Sequence, residues 1–143
     1  MKKISLITLL LGVILLLTSC GGELPTDADA LVTKMKEKGY SSQQTIGDDN
    51  IASYVEEYGL TLDDVYAIAH AQKENPEDTR VTMGTFLFCK DEATAANLKT
   101  TIENAFIEQF GAVNNPYYHN MTVEQKGNIT FYGTQKIWEV ANN

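Results

Sequence analysis

The nine residues Val81-Thr82-Met83-Gly84-Thr85-Phe86-Leu87-Phe88-Cys89 constrain this chain more than any other stretch. The run is short, apolar and rich in β-branched and aromatic side chains, so it reads as a buried strand. A turn signal, Asn75-Pro76-Glu77-Asp78, precedes it, and Asp91 follows as a helix cap. Upstream of the turn, Tyr66, Ile68 and His70 alternate with Val65, Ala67 and Ala69, as in a strand covered on both faces. Thr61 and Asp64 would equally cap a helix at 62–72. The hairpin around the turn is the preferred reading.

The remaining elements follow from local signals. Thr26 is expected as an N-cap with Asp29 as its capping-box partner. Ala28, Leu31, Val32 and Met35 repeat at helical spacing and Gly39 supplies a stop, predicting a helix over 27–38. Residues 40–46 are polar and β-compatible and read as an edge-like strand. Gly47-Asp48-Asp49-Asn50 is a turn that doubles as a cap, and Ile51, Tyr54, Val55 and Tyr58 form a second stripe ended by Gly59. Asp91 opens the longest helix, with Ala95, Leu98, Ile102, Ala105 and Phe106 on its inner face and Gly111 after its last turn. Beyond a loop at 114–120, Met121 and Val123 alternate with polar residues. Gly127-Asn128 suits a type II′ hairpin, after which Ile129 and Phe131 resume the pattern. Thr134 is expected to cap a short last helix carrying Ile137, Trp138 and Ala141. The order α-β-α-β-β-α-β-β-α predicts an α+β fold: a single antiparallel sheet of about five strands with amphipathic helices mainly on one face.

The amino terminus predicts an address. Lys2 and Lys3 precede an apolar run from Ile4 to Leu17, which ends Leu17-Thr18-Ser19-Cys20. A positive n-region, a short apolar h-region and small residues at a cleavage point make a secretory leader. An aliphatic residue, two small residues and a cysteine resemble the lipobox of bacterial lipoproteins. That resemblance implies cleavage between Ser19 and Cys20, and a diacylglyceryl group on the Cys20 sulfur. A transmembrane anchor is the competing reading. A spanning helix needs about 20 apolar residues, whereas this run is shorter, holds Gly12 and is followed by Gly21-Gly22 rather than a charged flank. The expected organisation is therefore a leader at 1–19, a lipidated cysteine with a short tether at 20–26, and one domain at 27–143. Two or more acyl chains anchor stably where one does not. The six-residue tether reaches at most roughly 20 Å at 3.3–3.6 Å per residue, which holds the domain close to the extracytoplasmic face of a cell membrane.

Removing the leader leaves about 124 residues, the size of one domain that needs no metal or disulfide staple. It also leaves nine basic against nineteen acidic residues, a net charge of −10. Such a surface repels nucleic acid and anionic headgroups. With Cys20 lipidated, Cys89 stands alone among Phe and Leu, and reads as a buried small hydrophobe rather than a reactive thiol.

Three segments of the domain also resemble a group of proteins. These are Gly39-Tyr40 after the first helix, the aromatic strand running into an Ala-rich helix at 86–96, and the closing Lys126-Gly127-Asn128 with Tyr132-Gly133-Thr134. The set is similar to small, uncharacterised lipoproteins of Gram-positive bacteria. It spans most of the domain but is diffuse, and it implies no activity.

The search for chemistry returns little. His70 and His119 are the two histidines, and neither has a second at i+3 or i+4, the kind of spacing metal sites use. His70, in an apolar alternation, reads as a sheet histidine with satisfied hydrogen bonds. Asp27, Asp29, Asp48, Asp49, Asp63 and Asp64 invite a calcium reading, but an EF-hand loop counted from Asp27 places Val32 at position six and Lys38 at position twelve. Helix capping explains most of these acids. No nucleophile elbow, Ser-x-x-Lys, His-Glu-x-x-His or Walker loop is present. Asn120-Met121-Thr122 and Asn128-Ile129-Thr130 match glycosylation sequons, which carry no weight in a bacterial envelope protein. No cofactor and no nucleic-acid partner are expected. The preferred reading is a noncatalytic, membrane-anchored domain that binds an envelope protein or glycan. Two alternatives remain: an envelope hydrolase using paired acids and His119, and a solute-binding module built from Tyr117, Tyr118, His119 and Trp138, with Tyr132 as a further aromatic neighbour.

Overall fold

A computed structural model describes residues 23–45, 48–74, 80, 82–113 and 120–143, with the backbone alone at 48 and 49. Helices α1 (Ala28–Glu37), α2 (Asp48–Glu56), α3 (Glu92–Phe110) and α4 (Gln135–Asn142) alternate with strands β1 (Ser41–Thr45), β2 (Val65–Lys73), β3 (Thr82–Cys89), β4 (Met121–Lys126) and β5 (Ile129–Thr134). The strands form one antiparallel sheet in the order β1-β2-β3-β5-β4. The fold is α+β, and the element order is the one the sequence predicts. The turn expected at 75–78 lies outside the described residues.

Local chemistry sets most element ends. Asp91 is extended at the start of α3, and its carboxylate accepts the Thr94 N–H at 2.7 Å. Gly111 closes that helix by donating to the Ile107 carbonyl at 2.8 Å. α1 and α2 each end in a Schellman pair. Tyr40 donates to Met35 and Gly39 to Lys36, while Leu60 donates to Val55 and Gly59 to Glu56, all at 2.9–3.1 Å. β4 and β5 join with Lys126 opposite Ile129, so the turn is two residues long. Its positive φ falls on Gly127 (56°) and not on Asn128, the type II′ pattern.

Four expectations are corrected. Asp27, not Thr26, caps α1, accepting the Ala30 N–H at 3.0 Å. Thr134 precedes α4 but makes no cap bond; its hydroxyl instead accepts the Met83 N–H at 3.2 Å, tying α4 to β3. Leu24 is 3% exposed and packs in the core, so the folded unit begins before residue 27. The helices do not gather on one face. α1 and α4 pack on the face formed by Ala67, Ala69, Ala71, Phe86, Phe88, Ile129 and Phe131. α2 and α3 pack on the other, against Val65, Ile68, Leu87, Cys89 and Val123. The reason lies in β3, whose last six residues are all buried: an unbroken apolar run exposes apolar groups both ways and demands cover on both sides.

β2 departs from simple alternation as well. Its register against β3 shifts between Val65 and Ala67, and this bulge puts Val65 on the face of Ile68 and His70. Tyr66 turns out to solvent near Phe88, with its hydroxyl 3.3 Å from the Asn128 amide. Thr61 and Asp64 do form a cap-like turn: the Asp64 carboxylate accepts from the Thr61 N–H and hydroxyl, both at 3.0 Å. A strand follows it, not a helix.

Candidate functional site

The sheet is longer than the helices that cover its second face. Across that face, strand pairing lines up Thr45, Ile68 and Leu87, then Gln43, His70 and Thr85, then Ser41, Gln72 and Met83. The first row lies beneath α2 and α3. The last row is left bare, and there an open groove of about 290 Å³ forms, lined by Ser41, Gln43, His70, Ala71, Gln72, Met83 and Gly84. A smaller recess of about 50 Å³ lies between α2 and α3, against Tyr58, Ile102 and Phe106.

His70 forms the wall between groove and core. Its Nδ1 lies 3.1 Å from the Thr85 hydroxyl and its Nε2 3.0 Å from the Thr45 hydroxyl. Tyr54 of α2 meets the ring edge-on at 5.6 Å between centroids and directs its own hydroxyl to Thr85 at 3.5 Å. Thr85 is fully buried. Burial lowers the His70 pKa below its ordinary value, so the ring is neutral at physiological pH. This bears out the sheet histidine with satisfied bonds.

The groove offers neutral chemistry: two primary amides, one hydroxyl, an imidazole edge and a thioether. Both nitrogens of His70 are engaged by threonine hydroxyls, and among the described residues no carboxylate bonds the ring to orient it as a general base. These groups suit hydrogen-bonded recognition of an uncharged, polar surface.

Other residues singled out from the sequence fall elsewhere. Ser19, Cys20, Tyr117, Tyr118 and His119 lie outside the described residues. Trp138 is half-buried on the first face, 5.4 Å from the Phe131 ring and 6.5 Å from that of Phe86. Tyr132 is on the second face, against Phe106 at 5.9 Å and Tyr58 at 6.5 Å. The two rings therefore do not share a binding surface, because they are separated by the sheet. Cys89 is buried and free, and burial pushes its thiol up to about 11. Asp64 pairs with Lys90 at 2.7 Å and is held down to about 2 by that bond and those from Thr61. Among the described residues, no group of three His, Cys, Asp or Glu could hold a metal ion. No described helix is long and apolar enough to cross a membrane.

Sequence reasoning found His70 but not its neighbours. Ser41, Gln43 and Gln72 come together only through the β1–β2 register, and the polar, β-compatible run at 40–46 was the one signal pointing there. No protein-family model matches the chain, and neither a curated protein nor a solved structure matches it.

Proposed function

We propose that this chain is a lipid-anchored, extracytoplasmic protein of a bacterial cell envelope, whose domain binds an envelope protein or glycan without catalysis. The address rests on the Leu17-Thr18-Ser19-Cys20 lipobox. The binding role rests on one observation: the uncovered end of the sheet, where Gln43, Gln72 and Ser41 stand over a neutral, fully bonded histidine. At about 290 Å³ and open to solvent, the groove falls just below the 300–1,000 Å³ range of small-molecule sites. It suits a segment of a larger partner better than an enclosed solute.

Two measurements test this. Mass spectrometry of the membrane-extracted protein is expected to find an acylated peptide beginning at Cys20, and Cys20→Ala is expected to release the protein from membranes. An unmodified leader in the mature protein would overturn the address. For the groove, NMR titration with soluble wall glycan fragments and with envelope-derived peptides is expected to move the His70 ring and the Gln43 and Gln72 amide signals. Binding that leaves those three signals still and moves others would place the site elsewhere.

A further inference from the structure

The lipid anchor proposed above fixes where the domain stands, and the structure shows which surface stands there. Leu24 is buried in the core. Only Gly21, Gly22 and Glu23 separate it from Cys20, a reach of about 10 Å at 3.3–3.6 Å per residue. That is half the span of a six-residue tether, so the surface around Glu23 is held at headgroup level.

That surface is basic. The Lys34 amine donates to the Glu23 carbonyl at 3.3 Å and to the Ala141 carbonyl at the end of α4 at 2.8 Å. Lys126 donates to Asn142, the next residue along, at 3.1 Å. Lys38 follows Lys34 by one turn, in the run Lys34-Met35-Lys36-Glu37-Lys38, and is exposed like Lys126. After burial, the charges of Lys38 and Lys126 are what lower the Lys34 pKa, so the three ammonium groups share one field. Glu37 lies beside Lys38 in sequence and Glu124 two residues before Lys126, but none of Glu23, Glu37 and Glu124 contributes to the Lys34 shift, so the field at that amine is positive.

We infer that this face, carrying Lys34, Lys38 and Lys126 around the point where the chain leaves its tether, docks on the anionic phospholipid headgroups of the bilayer that holds Cys20. The inference rests on the lipid-anchored reading. It revises what net charge implies: a domain at −10 is repelled by headgroups as a whole. With Lys34, Lys38 and Lys126 at the anchor, repulsion of the acidic remainder and attraction of this face turn the molecule the same way. The groove at β1–β3, on the opposite side of the sheet from α1 and α4, is then kept off the membrane.

The test uses the lipidated full-length protein, reconstituted in vesicles of phosphatidylcholine alone or with added phosphatidylglycerol, with acetylation rates read lysine by lysine. Lys38 and Lys126 are expected to react about fivefold more slowly on the anionic vesicles, the fold-change of one lysine's attraction to such a surface. Lys99, on α3 across the sheet, is expected not to change. Near 1 M salt, where screening shortens to about 3 Å, the difference should vanish. Lys38→Gln with Lys126→Gln, which spares the Lys34 bonds to Glu23 and Ala141, is expected to abolish any salt-sensitive protection of Lys34. A lipidated, vesicle-bound protein with equal rates on both vesicles, or with protection on Lys99, overturns the docking face alone. A protein without lipid on Cys20 and absent from the vesicles overturns the anchor and this inference together.

Discussion

Thr85→Val removes one hydroxyl from the wall of the candidate site while keeping the shape of the side chain. Thr85 is fully buried, and its hydroxyl is the partner of His70 Nδ1 at 3.1 Å; the bond from Tyr54 at 3.5 Å is too long to add much. Stranding a buried nitrogen costs about 1–3 kcal/mol, including the lost bond. The extra methyl in a dry site returns about 0.8 kcal/mol. At the middle of that range the net expectation is a loss of about 1 kcal/mol. With an m-value of about 2 kcal/mol per molar in urea, the midpoint should fall by about 0.5 M at unchanged slope. Thr45→Val is the control. Thr45 is half-buried on the edge strand, where water can take the place of the hydroxyl that His70 Nε2 meets at 3.0 Å. Its expected loss is under about 0.5 kcal/mol, the size of an ordinary surface change. Urea unfolding of both variants, followed by far-UV circular dichroism at pH 8, reads the comparison. A Thr85→Val protein as stable as the parent, or a larger loss for Thr45→Val, would refute the claim that the inner bond fixes the ring.

Three further outcomes are expected. Because burial holds His70 below its ordinary 6.5, the unfolded chain takes up the proton first, so stability should decline as pH falls from about 6.5, until the folded ring also protonates; His70→Gln should flatten that part of the pH–stability curve, and an unchanged slope would rule out His70 as its source. At Gly133, φ is 149° and an added Cβ would lie 2.4 Å from the Gly84 Cα and 2.5 Å from the Met83 carbonyl oxygen, both backbone atoms; Gly133→Ala should cost at least about 3 kcal/mol, against about 1 kcal/mol for Gly59→Ala, where nothing lies within 4 Å, and similar thermal midpoints for the two would count against the close β3–β5 approach. Cys89, buried with its thiol near 11, should resist iodoacetamide in the native protein and react only after unfolding; fast native alkylation would mean that the α3 face opens.

Much of the fold was readable because the deciding interactions are local. The Asp91 cap, the Gly39 and Gly59 stops and the Gly127-Asn128 turn are each settled by hydrogen bonds spanning a few residues, so the sequence signals them directly. Where two local candidates competed, the signal was insufficient. Thr26 and Asp27 both offer a side-chain oxygen, and Asp27 caps because its carboxylate reaches the Ala30 N–H. The Thr61–Asp64 turn has the chemistry of a helix start, but Val65, Ala67, Ile68 and Ala69 behind it find partners on β3, and tertiary pairing wins.

The element order, the antiparallel sheet, the burial of Cys89 and the bonded state of His70 could all be read from the amino-acid order, since period and capping chemistry act over neighbouring residues. Tertiary structure alone decided three things. It placed helices on both faces of the sheet, because the apolar run of β3 needs cover on each side. It set the register that brings Ser41, Gln43 and Gln72 to the edge of His70, which no spacing within one strand encodes. And it folded Lys34 and Lys126 onto the end of α4 beside Glu23, joining residues more than a hundred positions apart. Charge counted along the chain gives only a total; where that charge stands relative to the tether depends on which ends the fold brings together.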